Sequence, residues 1–211
     1  MQRPFAFAIL LLAASAVTRR SMSAQELPTV ALPIVNPSFE ASLRGDDGLP
    51  KPSGWHAGGN GYRVALDTME RVDGSSSLRS ERVDTTPHRS DSEAFGVGSQ
   101  GVRFVQKALG RALRLSGWIR TDAVTSGWAG LWMRVDGSGS VLAFDNMRLD
   151  GPRGTTPWTR YVIELPVDSG ATAVVVGVLH PGDGTAWFDS LRLEVIGPAR
   201  PRTAFAWTPP P

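Results

Sequence analysis

The sequence predicts an all-β protein built as a sandwich, and three observations carry that expectation. Short runs of alternating apolar and polar residues recur along most of the 211 residues, the pattern of strands with one face buried. Gly, Pro and Asp punctuate the gaps between the runs, where turns demand them. No segment of ten or more residues carries the 3.6-residue apolar period of an amphipathic helix.

Taken in order, residues 1–24 read as a secretory signal peptide. Met1-Gln2-Arg3 is a short positive start, and residues 5–16 form an apolar run well short of the ~20 residues that span a bilayer. Cleavage fits after Ala16, in Ala14-Ser15-Ala16, and after Ala24. A secreted or periplasmic location follows. Residues 25–34 read as a linker. The domain proper, 35–197, opens at Asn36-Pro37-Ser38-Phe39-Glu40, and residues 41–61, with six glycines and two prolines, read as loop. A strand is expected over 78–83 after the turn Asp73-Gly74-Ser75, a polar loop over 84–101 and a strand over 102–109.

The next strands are better marked. Leu113, Leu115, Gly117 and Ile119 alternate with Arg114, Ser116, Trp118 and Arg120; Leu131, Met133 and Val135 alternate with Trp132, Arg134 and Asp136. Residues 159–167 place Tyr161, Ile163 and Leu165 on one face, while 174–180 are apolar in both phases, as a strand covered on both sides would be. In the last run Trp187, Asp189, Leu191, Leu193 and Val195 alternate with Phe188, Ser190, Arg192 and Glu194. Residues 198–211 read as a Pro-rich disordered tail. Some eight short strands at this spacing argue for a sandwich or jelly roll.

Composition excludes several functions. The sequence pI near 9.5 suggests a nucleic-acid binder, but the formal charge is only +2. Without the three arginines of the leader, 19 basic side chains face 20 acidic ones, which leaves no electrostatic footprint for nucleic acid. Cysteine is absent, so disulfides and thiol chemistry are out. Gly96-Val97-Gly98-Ser99-Gln100-Gly101 matches G-x-G-x-x-G in letters but precedes a strand, the reverse of a dinucleotide site. His56, His88 and His180 have no metal-ligand spacing and read as exposed loop histidines. Asp136, Asp145 and Glu164 are carboxylates with nothing to pair them across a cleft, as glycoside hydrolysis requires. The chain thus reads as non-catalytic.

What remains is a binding surface. Trp118 and Arg120 share a phase, as do Trp132 and Arg134, so two neighbouring strands would make a patch of indoles and guanidiniums. Sugar rings stack on such aromatics while polar groups at the edge orient them. Asn146, in phase with Phe144, and Tyr62 in its Gly-rich loop are candidates for the same concavity. The partner would be a polysaccharide, a cell-surface glycan or an exported protein. Alternatively, loop 41–61 or 84–101 covers these side chains, and the Arg–Trp stack is structural. A protein-interaction module without a sugar site would then be the reading.

Motif order adds a resemblance. Asn36, Phe39 and Glu40; Pro52, Gly54 and Trp55; Gly74, Ser77 and Leu78; and the closing run 187–193 together resemble the galactose-binding-like jelly roll, whose best-known members are CenC-type carbohydrate-binding modules (the CBM4/9 and CBM22 group). The stretch 129–161 is similar to accessory domains of bacterial exported peptidases and hydrolases. The resemblance implies a structural calcium ion held by Glu40 and Asp189, although Ser190 stands where the family has a second Asp. Without the ion, Asp189 would instead accept hydrogen bonds from backbone amides of the N-terminal segment.

Overall fold

The structure, a computed structural model, describes residues 29–84, 94–103 and 105–198. The expected leader, His88 and the Pro-rich tail lie outside the described residues. Thirteen strands run in order: β1 (Val30–Leu32), β2 (Ser42–Arg44), β3 (Pro50–Pro52), β4 (His56–Gly58), β5 (Tyr62–Asp67), β6 (Ser77–Arg82), β7 (Gly96–Gly101), β8 (Arg111–Val124), β9 (Gly130–Asp136), β10 (Val141–Asp145), β11 (Gly154–Val167), β12 (Ala173–His180) and β13 (Thr185–Pro198). A six-stranded sheet runs β11-β8-β13-β6-β5 with β1 against β13, a five-stranded sheet runs β10-β9-β12-β7-β4, and β2-β3 form a small ribbon. All named pairings are antiparallel.

The period-two pattern explains the two long sheets. Leu113, Leu115 and Ile119 of β8 and Leu131, Met133 and Val135 of β9 are all fully buried, and they meet between the sheets with Phe188, Leu193, Val195, Val176 and Val178. Each such aliphatic side chain contributes about 1.5–3 kcal/mol by leaving water. Trp55 closes one end, with its indole N–H donated to the carbonyls of Val35 (2.9 Å) and Asn36 (3.1 Å) and its ring 5.1 Å from Phe39.

Three expectations need correction. The segment 84–101, read as loop, contains β7, and 102–109, read as strand, contains a 3-10 turn over Val105–Ala108. The inward side of β7 is Gly96 and Gly98, where Tyr62, Ser80, Leu78 and Val178 occupy the space a Cβ would need. Because its partners supply the apolar bulk, β7 itself has no apolar pattern. Second, β1 lies in the expected linker and β2, β3 and β4 in the expected loop 41–61.

Third, β13 does not keep one phase. Its pairing with β8 shifts between Asp189 and Arg192, at Ser190 with φ 49°. Such a bulge inserts a residue and flips the faces beyond it. Phe188 pairs with the inward Ile119, Leu193 with the inward Leu115, and Asp189 with the outward Trp118. Trp187 and Asp189 therefore sit on the outer face, opposite to Leu193 and Val195.

Candidate functional site

The sandwich separates the two Trp-x-Arg doublets. Trp118 and Arg120 lie on β8 in the six-stranded sheet, and Trp132 and Arg134 on β9 in the five-stranded sheet. Each doublet points outward, since its alternating partners fill the core. They occupy opposite sides of the protein, so the expected joint patch does not form.

On the six-stranded side the doublet is built into the surface. The Arg120 guanidinium stacks on Trp187, 4.9 Å from the ring centroid, and pairs with Glu70 at 2.7 Å. Arg79 lies 5.8 Å from the same ring, and the Trp187 N–H donates to Asp67 at 2.9 Å. Here the Arg–Trp stack is structural, but the segment covering it is 68–75 rather than either loop expected.

That segment is tied down by the two carboxylates assigned to calcium by resemblance. Asp189, fully buried, accepts from the amides of Val72 (2.8 Å), Asp73 (3.1 Å) and Ser190 (2.6 Å). Glu40 accepts from the Ser75 amide (2.7 Å), the Ser75 hydroxyl (2.5 Å) and the Ser76 amide (3.2 Å). The Ser75 hydroxyl holds the Glu40 carboxyl below its usual range; burial pushes Asp189 up, against its amide donors and with the help of the nearby Glu40 charge. Each carboxylate thus accepts from three hydrogen-bond donors, Asp189 from three backbone amides and Glu40 from two amides and a hydroxyl. Among the described residues no group of three or more His, Cys, Asp or Glu could hold a metal ion.

Two further candidates are also structural. Tyr62 is buried at the start of β5, its hydroxyl donating to the Gly182 carbonyl (2.6 Å) and accepting from the Gly182 amide (2.7 Å); it lines no concavity. The Asn146 side chain caps its own turn by accepting from the Arg148 amide at 3.2 Å, and its carbonyl accepts from the Trp128 indole at 2.9 Å. His180, expected in an exposed loop, is fully buried.

On the five-stranded side Trp132 is half-buried, with its indole nitrogen enclosed and without a hydrogen-bond partner among the described residues. Register aligns Trp132 with Gly177, Gly177 with Ser99 and Ser99 with His56 across β9, β12, β7 and β4. The next row aligns Phe144, Arg134, Val175 and Gly101. A Cβ on Gly177 would stand 2.6 Å from the Trp132 indole nitrogen, so the missing side chain lets the indole settle against β12. Phe144 flanks it at 6.5 Å between centroids. The Arg134 Nε lies 3.0 and 3.1 Å from the two Asp136 oxygens, which neutralises the charge and holds the guanidinium at the edge of the aromatic pair. In the row between Trp132 and His56 stand Gly177 and Ser99, so the floor there is small. The outward phase of β12, Val175, Gly177 and Leu179, is half-buried to buried, with Trp132 against Gly177. Ser99, Gly177 and His56 were missed in the sequence because their strands lack alternation.

No protein-family model matches the chain. The xylan-binding CBM22-1 domain of Paenibacillus barcinonensis Xyn10C superposes with a TM-score of 0.51 at 14% identity, over 77% of this chain and 93% of that one. The chain has the jelly-roll fold of that binding module. The same fold carries other functions. A Stig cyclase, Fisc from Fischerella sp. TAU, matches with a TM-score of 0.55 at 14% identity over 82% of this chain and 100% of its own. The enzymatically active domain of tailspike protein 4 from bacteriophage CBA120 matches at 0.53 and 16%, over 79% of this chain and 22% of that one. Fold therefore leaves function to the site. In sequence, 96 residues are 41% identical to the uncharacterized HTH-type transcriptional regulator YbfP of Bacillus subtilis (strain 168), 45% of this chain and 32% of that protein. The chain spans about a third of that relative's length, and its described residues contain no α-helix with which to read a major groove.

Proposed function

We propose that the protein is an exported, non-catalytic binding module that takes a carbohydrate chain on the outer face of the five-stranded sheet. One observation carries the reading: Trp132 and Phe144 stand beside a row of small residues, with the Arg134–Asp136 pair at their edge. A sugar ring stacked on the indole would have donors and acceptors at its rim and a floor low enough to admit the next ring. On β9 the face's cation and carboxylate, Arg134 and Asp136, are already paired, which suits a neutral glycan. We read Glu40 and Asp189 as amide acceptors that hold the segment 68–75, with no calcium required.

The carboxylates support binding rather than hydrolysis. Asp136 lies in the five-stranded sheet, bound to Arg134, while Glu164 lies on the other sheet, 2.7 Å from Arg114. They flank no common cleft. Exposed Val141 and Leu142 on β10 favour a second reading, an apolar protein partner on the same face. A glycan array and polysaccharide pull-down with the full chain separate the two. Binding is expected to weaken about 10–100-fold in Trp132→Ala, the loss typical of a central aromatic anchor. Silence across a broad panel, or an unchanged fluorescence titration in the variant, rejects the carbohydrate reading.

A further inference from the structure

The strand β11 ends the six-stranded sheet and pairs along its fourteen residues with β8 alone. Among the described residues its other edge therefore presents backbone N–H and C=O groups without a strand partner, and natural proteins usually blunt such an edge with lysine, proline or a cover. Here Pro157 and Pro166 stand near the ends, and the eight residues between them, 158–165, include no lysine and no further proline.

The outward side chains along that edge form a pattern. Arg160, Val162 and Glu164 share a face, aligned with Trp118, Ser116 and Arg114 of β8. Val162 is 44% exposed, and the Glu164 side chain is 46% exposed. On this face Arg63, Arg79, Arg114, Arg120 and Arg192 each have a carboxylate within 4.0 Å. Arg160 is exposed and bonds to the Ser116 hydroxyl at 2.9 Å, with no carboxylate near it among the described residues.

We infer that β11 is a self-association edge, on which a second copy of this chain pairs antiparallel about a two-fold axis through Val162. In that register Arg160 of each copy faces Glu164 of the other, Val162 meets its own counterpart, and Tyr161 meets Ile163 on the inner face. The sequence Arg160-Tyr161-Val162-Ile163-Glu164 is thus self-complementary in charge and in apolar character, as an isologous contact requires. The unpaired arginine gains its carboxylate and the exposed valine its cover. Because the axis is perpendicular to the sheet, the two five-stranded faces look the same way, so a polymeric ligand could engage both at once.

An edge contact of eight residues is small, so the dimer is of the weak class. Sedimentation of the full chain at concentrations up to ~1 mM should show a reversible monomer–dimer equilibrium. Arg160→Glu and Glu164→Arg, made singly, each set like charges face to face twice and should weaken the dimer about tenfold. The double swap R160E/E164R restores opposite charges across the axis and should dimerise more tightly than either single swap, even with the new arginine at position 164 set beside Arg114 in its own copy. Thermal melts on the same samples report that each variant is folded. A chain that stays monomeric throughout, single swaps that leave the dimer intact, or a double swap that fails to rescue would each overturn the inference.

Discussion

His180 predicts an acid sensitivity of folding that no other described group would give in the same range. Its ring lies at the end of β12, fully buried. Nε2 is 3.0 Å from the Asp183 carbonyl, and Nδ1 is 3.1 Å from the Ser80 carbonyl and 3.3 Å from the Ser80 hydroxyl. The neutral ring has a single N–H and so donates to one of the two carbonyls, Asp183 through Nε2 or Ser80 through Nδ1. Tyr62 packs edge-on at 5.3 Å. Burial, opposed by the carbonyls of Asp183 and Ser80 and by the Asp183 charge and aided by Arg82, pushes the imidazole from 6.5 down to about 4. In the unfolded chain the ring takes a proton near 6.5, and in the folded chain only near 4, so between those values the unfolded state binds more protons. Stability is therefore complete above pH ~6.5, falls as the pH drops, and is fully lost below ~4. The gap amounts to about 3 kcal/mol in all, of which about 2 kcal/mol is gone by pH 5. Urea unfolding at pH 7.5 and 5.0 should show that loss in the wild type. His180→Gln should start less stable but lose little over the same interval. Carboxylates interfere mainly at lower pH: Glu40 and Asp67 are held low and lose their contribution as they protonate, whereas the raised Asp189 acts in the opposite sense. Equal pH slopes in the two proteins, or a ring-proton resonance of His180 titrating near 6.5, would refute the reasoning.

Tyr62→Phe removes a hydroxyl that both donates to and accepts from Gly182. Leaving that buried carbonyl and amide unpaired should cost about 2–4 kcal/mol; a loss below ~0.5 kcal/mol in chemical denaturation would show that water replaces the phenol. Asp189→Asn weakens the acceptor for the amides of Val72 and Asp73, so about 1–3 kcal/mol should go, together with faster proteolysis within 68–75; unchanged proteolysis would separate the carboxylate from that segment. Chelator should leave the melting temperature where it is, because hydrogen-bond donors already occupy both carboxylates. A drop of several degrees, reversed by added calcium, would restore the metal implied by resemblance.

How much of this was legible in the sequence depends on where each strand finds its apolar bulk. In β8 and β9 the bulk is their own, and Leu113, Leu115, Ile119, Leu131, Met133 and Val135 all fall on the buried face as the alternation requires. In β7 it belongs to Leu78, Tyr62 and Val178 across the way, so a run of glycines that reads as loop is a strand. The bulge at Ser190 was hidden for a different reason: a phase change needs one extra residue and no special composition, so Asp189 read as a core carboxylate beside Leu193. Most consequential, alternation tells which residues share a face of one strand and says nothing of which sheet the strand joins. The strands β8 and β9 are consecutive in sequence yet lie in opposite sheets, and the single patch inferred from Trp118 and Trp132 had to come apart.

That separation is also what gives the two doublets different chemistry. Outward-facing Trp and Arg side chains bring the same apolar area to both sheets, and water exclusion favours covering it in either place. On the six-stranded side the chain supplies the cover itself. Asp189, turned outward by the bulge, collects the amides of Val72 and Asp73, Glu40 collects those of Ser75 and Ser76, and Glu70 is delivered to Arg120. On the five-stranded side the carboxylate next to Arg134 is its own neighbour Asp136, two residues along the strand, so the guanidinium is satisfied within its own strand. The same bulge that removes Asp189 from the core thus ties one aromatic face to the segment 68–75, while the other, beside the local Arg134–Asp136 pair, is the face proposed for a ligand. Replacing Asp136 by Asn would test that division: Arg134 would be freed, Trp132 would keep its half-buried place, and any gain in binding of acidic over neutral glycans would trace to the guanidinium alone. An Asp136→Asn protein with an unchanged preference would mean that Arg134 does not reach the ligand.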